Sequence, residues 1–324
     1  MTQKRILTGI KATGDGMHIG NYFWMFQPLL QNSAWKESFL MLADYHSLTS
    51  VHEKEVLEKN KKKMLCEFFA LFPDDLKIIV FEQSKVTYIN NMTWVLSSVT
   101  PYSLMLRAHS FKDSQNKNSD INMATFNYPI LMAADIISYD IDIVPVGKDQ
   151  KQHLEFTRDI AGNFNKTYNT EFFKLPEPYI EEDVMTIPGT DGRKMSKSYN
   201  NFLWVFDDEK QLKKKIMSIP TGSEGLEESK NPEDCNVYSM IKLFVSEQQL
   251  ENIAEKYRAG GYGYGHAKLE LLYIILEYFK EAREKYKYYL ENFELVEEKL
   301  SAWNAYADSI VTKKYKEISN IIGL

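Results

Sequence analysis

Apolar and polar positions along the chain follow two regimes, which change over near Phe206. Before it, short apolar runs end in glycine or a polar residue: Lys4–Ile10 (KRILTGI), Phe39–Asp44 (FLMLAD), Lys77–Ser84 (KIIVFEQS) and Asp142–Gly147 (DIVPVG). Runs this short and apolar predict buried strands, and Val184–Gly189 (VMTIPG) is a fifth candidate. Longer stretches with helical spacing lie between them. In Glu55–Phe72, residues Leu57, Met64, Leu65, Phe68, Phe69 and Phe72 share a face, so the lysines among them read as the solvated side. Asn122–Tyr139 reads as another helix despite Pro129. Strand and helix in alternation predict a parallel, doubly wound sheet. After Phe206 helix follows helix, interrupted by the turn-rich segments Pro220–Cys235 and Gly260–Gly265. The expected organisation is an α/β nucleotide-type domain over residues 1–205 and an α-helical domain over 206–324.

Composition narrows this little. The chain has 324 residues, 44% of them hydrophobic, 26% charged and 13% aromatic, which suits a globular protein with two cores. It holds no run of about 18 uncharged apolar residues, so no membrane span is expected. The start, MTQKRILTGI, runs straight into a strand-like segment, so no secretory signal is expected. Cys66 and Cys235 are far apart and in no metal-ligand spacing, which argues against a disulfide framework or zinc site and suits a reducing cytoplasm. A net charge of -6 argues against indiscriminate coating of nucleic acid, but not against a shaped nucleic acid on a local basic face.

Gly192–Asn200 (GRKMSKSYN) departs from this ordinary composition. This acidic chain places Arg193, Lys194 and Lys197 in one short, serine-bearing, glycine-flanked segment. It reads either as a solvated loop or as a clamp for a polyanion such as nucleotide phosphates. The first strand runs into Thr8–Phe23 (TGIKATGDGMHIGNYF), whose glycines permit tight turning and close approach of a ligand. A helix starting at Gly20–Asn21 would offer amides to phosphate oxygens, with His18 and Asn21 as donors at its mouth. The spacing is neither the dinucleotide fingerprint G-x-G-x-x-G nor the phosphate loop G-x-x-x-x-G-K-[ST]. Tyr128, Met132 and Asp135 fall on one helical face. A carboxylate on that apolar face needs a partner, either an internal donor or a ligand. Asp149, with Gln152 three residues on, fits a helix cap, a ligand contact, or both.

HIGN (His18–Asn21) and KMSKS (Lys194–Ser198) together resemble the paired H-I-G-H and K-M-S-K-S motifs of class I aminoacyl-tRNA synthetases. Three further features are similar to the tryptophanyl branch: PVGKDQKQHLEFTRD (Pro145–Asp159), YPILMAAD (Tyr128–Asp135) and GYGHAK (Gly263–Lys268). The asparagine closing HIGN fits the same branch. The likeness departs at IKATG (Ile10–Gly14), which stands for I-Q-P-[ST]-G. It departs again before His18, where Asp15, Gly16 and Met17 occupy a gap expected to hold two residues.

The resemblance implies a Rossmann-like catalytic domain and a helical anticodon-binding domain. It implies ATP and L-tryptophan as substrates, tRNA(Trp) as acceptor, Mg2+ with the ATP phosphates, and a cytoplasmic homodimer. The tryptophan carboxylate would attack the α-phosphorus of ATP, releasing pyrophosphate, and the 2′-hydroxyl of the terminal adenosine would then take the aminoacyl group. Neither step needs a protein nucleophile; the protein positions reactants and stabilises developing charge. Lys194, Lys197, Ser196 and Asn21 are the implied catalytic residues, with Gly189 and Gly192 as hinges of the loop. ATP would be held by Lys11, Ala12 and Thr13, by His18, Gly20 and Asn21, by Gly147, Lys148 and Asp149, by Val184, and by Lys194, Met195, Ser196, Lys197 and Ser198. Tryptophan would be held by Tyr128, Met132, Gln150 and Asp135, the last accepting the indole N–H. The alternatives are the tyrosyl enzyme of the same class, a nucleotidylyltransferase that does not act on tRNA, and a non-catalytic paralogue.

Overall fold

In the computed structural model the described residues are 4–14, 16–33, 37–73, 78–108, 122–145, 151–179, 187–196 and 199–324. The first four apolar runs form β1 (Arg5–Ile10), β2 (Glu37–Leu42), β3 (Ile78–Glu82) and β4 (Ile143–Pro145). With β5 (Glu177–Tyr179) they make a parallel sheet of order β3-β2-β1-β4-β5. Among the described residues the fifth strand is thus Glu177–Tyr179. Residues 184–186 lie outside the described residues, and Ile187–Gly189 forms one arm of a hairpin with Arg193–Met195. β5 lies at the sheet edge, where Pro178, lacking an N–H, is tolerated.

In the α/β half the helices are α1 (Ile19–Asn21), α2 (Gln27–Asn32), α3 (Asp44–Ser47), α4 (Lys54–Leu71), α5 (Ile89–Ser98), α6 (Tyr102–Met105), α7 (Met123–Ile137) and α8 (Lys151–Thr167). A π-helical turn, Tyr22–Phe26, joins α1 to α2. α7 starts at Asn122, whose side chain accepts the Thr125 N–H at 2.9 Å. The helical part holds α9 (Glu209–Met217), α10 (Asn236–Ile241), α11 (Glu247–Ala259), α12 (Tyr264–Tyr278), α13 (Lys280–Glu291) and α14 (Phe293–Ile322). No helix among the described residues is long and apolar enough to cross a membrane.

α4 buries Met64, Leu65, Phe68 and Phe69 as its spacing predicts, and Phe69 stacks on Trp303 of α14 at 5.5 Å. Its lysines are not all solvated. Lys61 turns inward, with Nζ 2.6 Å from Asp44 and 2.8 Å from Glu82. Burial would lower its pKa, but the two carboxylates outweigh burial and hold it above the ordinary value.

Both hydrophobic clusters cross residue 205. One joins Ile6, Phe26 and Phe68 to Leu271, Val296 and Leu300. The other joins Phe39, Phe81 and Ala133 to Ala307, Val311 and Ile318 of α14. Polar contacts tie α14 to the β3 side. Asn304 accepts the Glu82 N–H at 2.9 Å, Asp308 accepts the Thr87 N–H at 2.7 Å, and Tyr315 stacks on Tyr88 at 4.6 Å. At the junction, Arg283 of α13 donates to the Val205 carbonyl at 2.5 Å and to that of Asp207.

Candidate active site

The sheet order reverses between β1 and β4, so a crevice opens beyond the carboxyl end of β1. There the chain enters the glycine turn, with Gly14 at φ +101° and Gly16 at φ +82°. α3 and α4 shape this turn from below. The Ala12 N–H donates to Ser47 Oγ at 2.7 Å, and its carbonyl accepts from Asn60 Nδ2 at 3.2 Å. Ala12 is fully buried, while Lys11 is exposed and Thr13 partly so. Lys11 extends over Tyr128, its Nζ 5.2 Å from the ring centroid. Although its side chain keeps solvent-accessible surface, desolvation by the surrounding protein lowers its pKa.

His18 caps α1: its Nδ1 accepts the Asn21 N–H at 3.0 Å. The imidazole proton is thereby assigned to Nε2. The ring, nearly buried, packs against Phe202 and Trp204 with centroids 6.1 and 6.0 Å away. The turn is stitched to the segment after KMSKS. Ile19 N donates to Leu203 O at 2.9 Å and Val205 N to Met17 O at 3.0 Å. The two motifs also meet directly, because the Gly20 N–H donates to the Met195 thioether at 3.1 Å.

KMSKS begins on the hairpin at Gly189–Met195. Met195 N donates to Ile187 O at 2.8 Å and Gly189 N to Arg193 O at 2.7 Å. Asn201, nearly buried, organises it. Its Nδ2 donates to Asp191 at 2.7 Å and to Lys194 O at 3.0 Å, and its Oδ1 accepts the Ser196 N–H at 2.8 Å. Gly189 is required by this packing, since a Cβ there would meet Asn201. Of the three motif cations, Arg193 is engaged locally, 2.6 Å from Asp191 and 4.4 Å from the Tyr199 ring centroid. The Asn201 contact, aided by Arg193, holds the Asp191 carboxyl below its ordinary pKa. Lys194 is exposed, and Ser196 is half-buried. Lys197 and Ser198 lie outside the described residues, as do Gly147, Lys148, Asp149, Gln150 and Val184.

On α7, Tyr128 and Met132 are half-buried and Asp135 is 1% exposed. Asp135 has internal donors already. His46 Nε2 lies 2.9 Å from Oδ2, and Gln83 Nε2 donates to Oδ1 at 2.9 Å and Oδ2 at 2.8 Å. The internal donor considered from the sequence is thus present, supplied by a histidine and a glutamine. One carboxylate lone-pair site, on Oδ1, remains beyond these bonds. Burial raises the Asp135 pKa, against the opposing pull of His46 and Gln83. The His46 and Tyr128 rings meet edge-on, with centroids 6.1 Å apart. Lys11, Tyr128, His46, Gln83 and Asp135 therefore form one cluster at the carboxyl ends of β1, β2 and β3. Sequence reasoning missed His46, Gln83 and Asn201. The available signal was position: Gln83 lies at the end of the run Lys77–Ser84, His46 just past Phe39–Asp44, and Asn201 just past KMSKS.

A parallel sheet with its switch point at a glycine turn, and a KMSKS hairpin bonded to that turn, defines the catalytic fold of a class I aminoacyl-tRNA synthetase. Residues 2–280 match the family described as tRNA synthetases class I (W and Y), and the chain belongs to that family. It is 46% identical to a tryptophan–tRNA ligase of Fusobacterium nucleatum, covering 99% of this chain and 98% of that one. Its structure matches Campylobacter jejuni tryptophanyl-tRNA synthetase complexed with ADP and tryptophan, with TM-score 0.94 and 42% identity, covering 99% of this chain and 100% of that one. The Mycoplasma pneumoniae tryptophanyl-tRNA synthetase matches with TM-score 0.81 and 26% identity, covering 100% and 98% respectively.

Proposed function

We propose that the protein is a tryptophan–tRNA ligase, which activates L-tryptophan with ATP and transfers it to the 2′-hydroxyl of the terminal adenosine of tRNA(Trp). The observation that carries the reading is the buried Asp135 acceptor beside Tyr128, at the same sheet edge as the glycine turn and its KMSKS partner. Asp135 accepts the indole N–H on its remaining lone pair, and His46 and Gln83 keep the carboxylate ionised and oriented. Tyr128 and Met132 flank the ring. Lys11, Thr13, His18 and Asn21 face ATP, and Lys194 and Lys197 act on the leaving pyrophosphate as point cations. Gly147, Lys148, Asp149, Gln150, Val184 and Ser198 are carried into this reading by their motifs alone.

Magnesium enters on the ATP phosphates. Among the described residues no three His, Cys, Asp or Glu side chains gather into a metal site, and Mg2+ commonly binds through substrate phosphates with few protein ligands. Residues 206–324 hold the tRNA anticodon. The protein works in the cytoplasm as a homodimer, for which the exposed Trp94, Tyr102 and Met123 on α5, α6 and α7 offer apolar surface. A Trp94→Glu variant should sediment as a monomer; an unchanged dimer would remove that face from the reading. The deciding experiment is ATP–pyrophosphate exchange with each of the twenty amino acids. Tryptophan alone should drive it, and exchange driven by tyrosine would overturn the assignment.

A further inference from the structure

Glu67 is the one charged residue in the apolar run Met64–Leu71 of α4, and it is 1% exposed. Its Oε2 accepts the Met17 N–H at 2.7 Å, and Lys63 Nζ lies 3.9 Å from Oε1. The turn presses closely on this carboxylate. A Cβ at Gly16 would come within 2.9 Å of Oε2 and closer still to Oε1, and Gly16 holds φ at +82°. A carboxylate inside an apolar cluster is stable only if donors fill its lone pairs. Here the turn supplies a backbone donor, and the positive φ at glycine lets it reach. α4 is anchored by its buried face, and Met17 is anchored from the other side by Val205.

We propose that Glu67 is the positioning residue of the ATP-facing turn. Its carboxylate fixes the backbone at Gly16–Met17, and so fixes His18 and the Gly20 amide that follow. It touches no substrate atom and acts through the turn. The inference rests on this turn being the ATP side of the site.

Three variants test it. Glu67→Gln keeps an oxygen acceptor for Met17 N–H; Glu67→Leu removes it at similar volume; Gly16→Ala disturbs the contact from the turn side. ATP and tryptophan affinities are measured separately by calorimetry on the full chain, with thermal melts to verify folding. Losing a hydrogen bond to a charged group should weaken ATP binding about tenfold or more in Glu67→Leu and Gly16→Ala, with Glu67→Gln and all tryptophan affinities within about twofold of wild type. Folded Glu67→Leu with wild-type ATP affinity would overturn the proposal, as would equal losses for both ligands. Should Glu67→Leu fail to fold, Gly16→Ala decides alone by the same criteria. Wild-type protein that bound no ATP would sink the functional reading and this one with it. Normal ATP binding in wild type and variants alike would sink only the role of Glu67.

Discussion

Replacing Gln83 with leucine removes the amide that donates to both oxygens of Asp135, at 2.9 and 2.8 Å. Gln83 is fully buried, so leucine fills the space and water does not replace the donor. A hydrogen bond to a charged group contributes about 1.5–3 kcal/mol, or roughly ten- to a hundredfold in a binding constant. Burial already holds the Asp135 carboxyl above its ordinary pKa, and losing Gln83 moves it further up. Because the folded pKa exceeds the ordinary 3.8, protonation stabilises the fold; that stability is complete below the unfolded value and is lost as pH rises through the folded one. On the proposed reading tryptophan recognition runs the other way, since the ionised carboxylate is the stronger acceptor for the indole N–H. In Gln83→Leu, kcat/KM for tryptophan in pyrophosphate exchange should fall about ten- to a hundredfold at neutral pH. The acid limb of its pH profile should move to higher pH. An analogue with sulfur in place of the indole N–H should lose much less, and ATP affinity should hold. An unmoved limb, with equal losses for both substrates, would refute Asp135 as the indole acceptor and leave it as an internally paired carboxylate.

Asn201→Ala should lower the single-turnover rate of adenylate formation about tenfold or more, because it strips three hydrogen bonds from the KMSKS hairpin, with tryptophan affinity unchanged; an unchanged rate would show that the hairpin needs no such support. Lys61→Met leaves the nearly buried Asp44 and Glu82 facing each other without their cation and should destabilise the fold by about 3–5 kcal/mol, read by denaturant unfolding. A loss under about 1 kcal/mol would mean the pair behaves as a surface ion pair. Truncation after Val205 removes Ala307, Val311 and Ile318 from the second core and Arg283 from the junction. The remnant should bind hydrophobic dye and melt without cooperativity, and a cooperatively folding fragment would refute this.

Most of the sheet was legible because four of its strands are short apolar runs with clear ends. β5 was not, since the three residues Glu177–Tyr179 carry no apolar run and enter the sheet only through pairing with β4. Periodicity identified the buried face of α4, but a long lysine side chain is not bound to the face of its backbone, and Lys61 reaches around to Asp44 and Glu82. The Tyr128–Met132–Asp135 face was visible in local spacing. Its donors were not, because His46 and Gln83 lie 89 and 52 residues from Asp135 along the chain. Only the order of strands in the sheet brings their carboxyl ends together. Gly189 reads from sequence as a hinge, whereas a Cβ there would strike Asn201, a steric demand that no local pattern contains.

The Gly20 N–H rests on sulfur rather than oxygen. A thioether is a weak acceptor, so this contact exchanges readily for a better one. An anionic oxygen arriving at Gly20 must displace Met195, and displacement of Met195 in turn makes that amide available. By reciprocity, the factor by which one event favours the other is the same in both directions. The glycine turn and KMSKS thus draw on a shared free energy rather than two separate ones. Changes to the two motifs will not multiply: the ATP affinity of a Gly20→Ala, Met195→Ala double variant should depart from the product of the two single effects, and strict multiplicativity would mean that the sulfur contact is incidental.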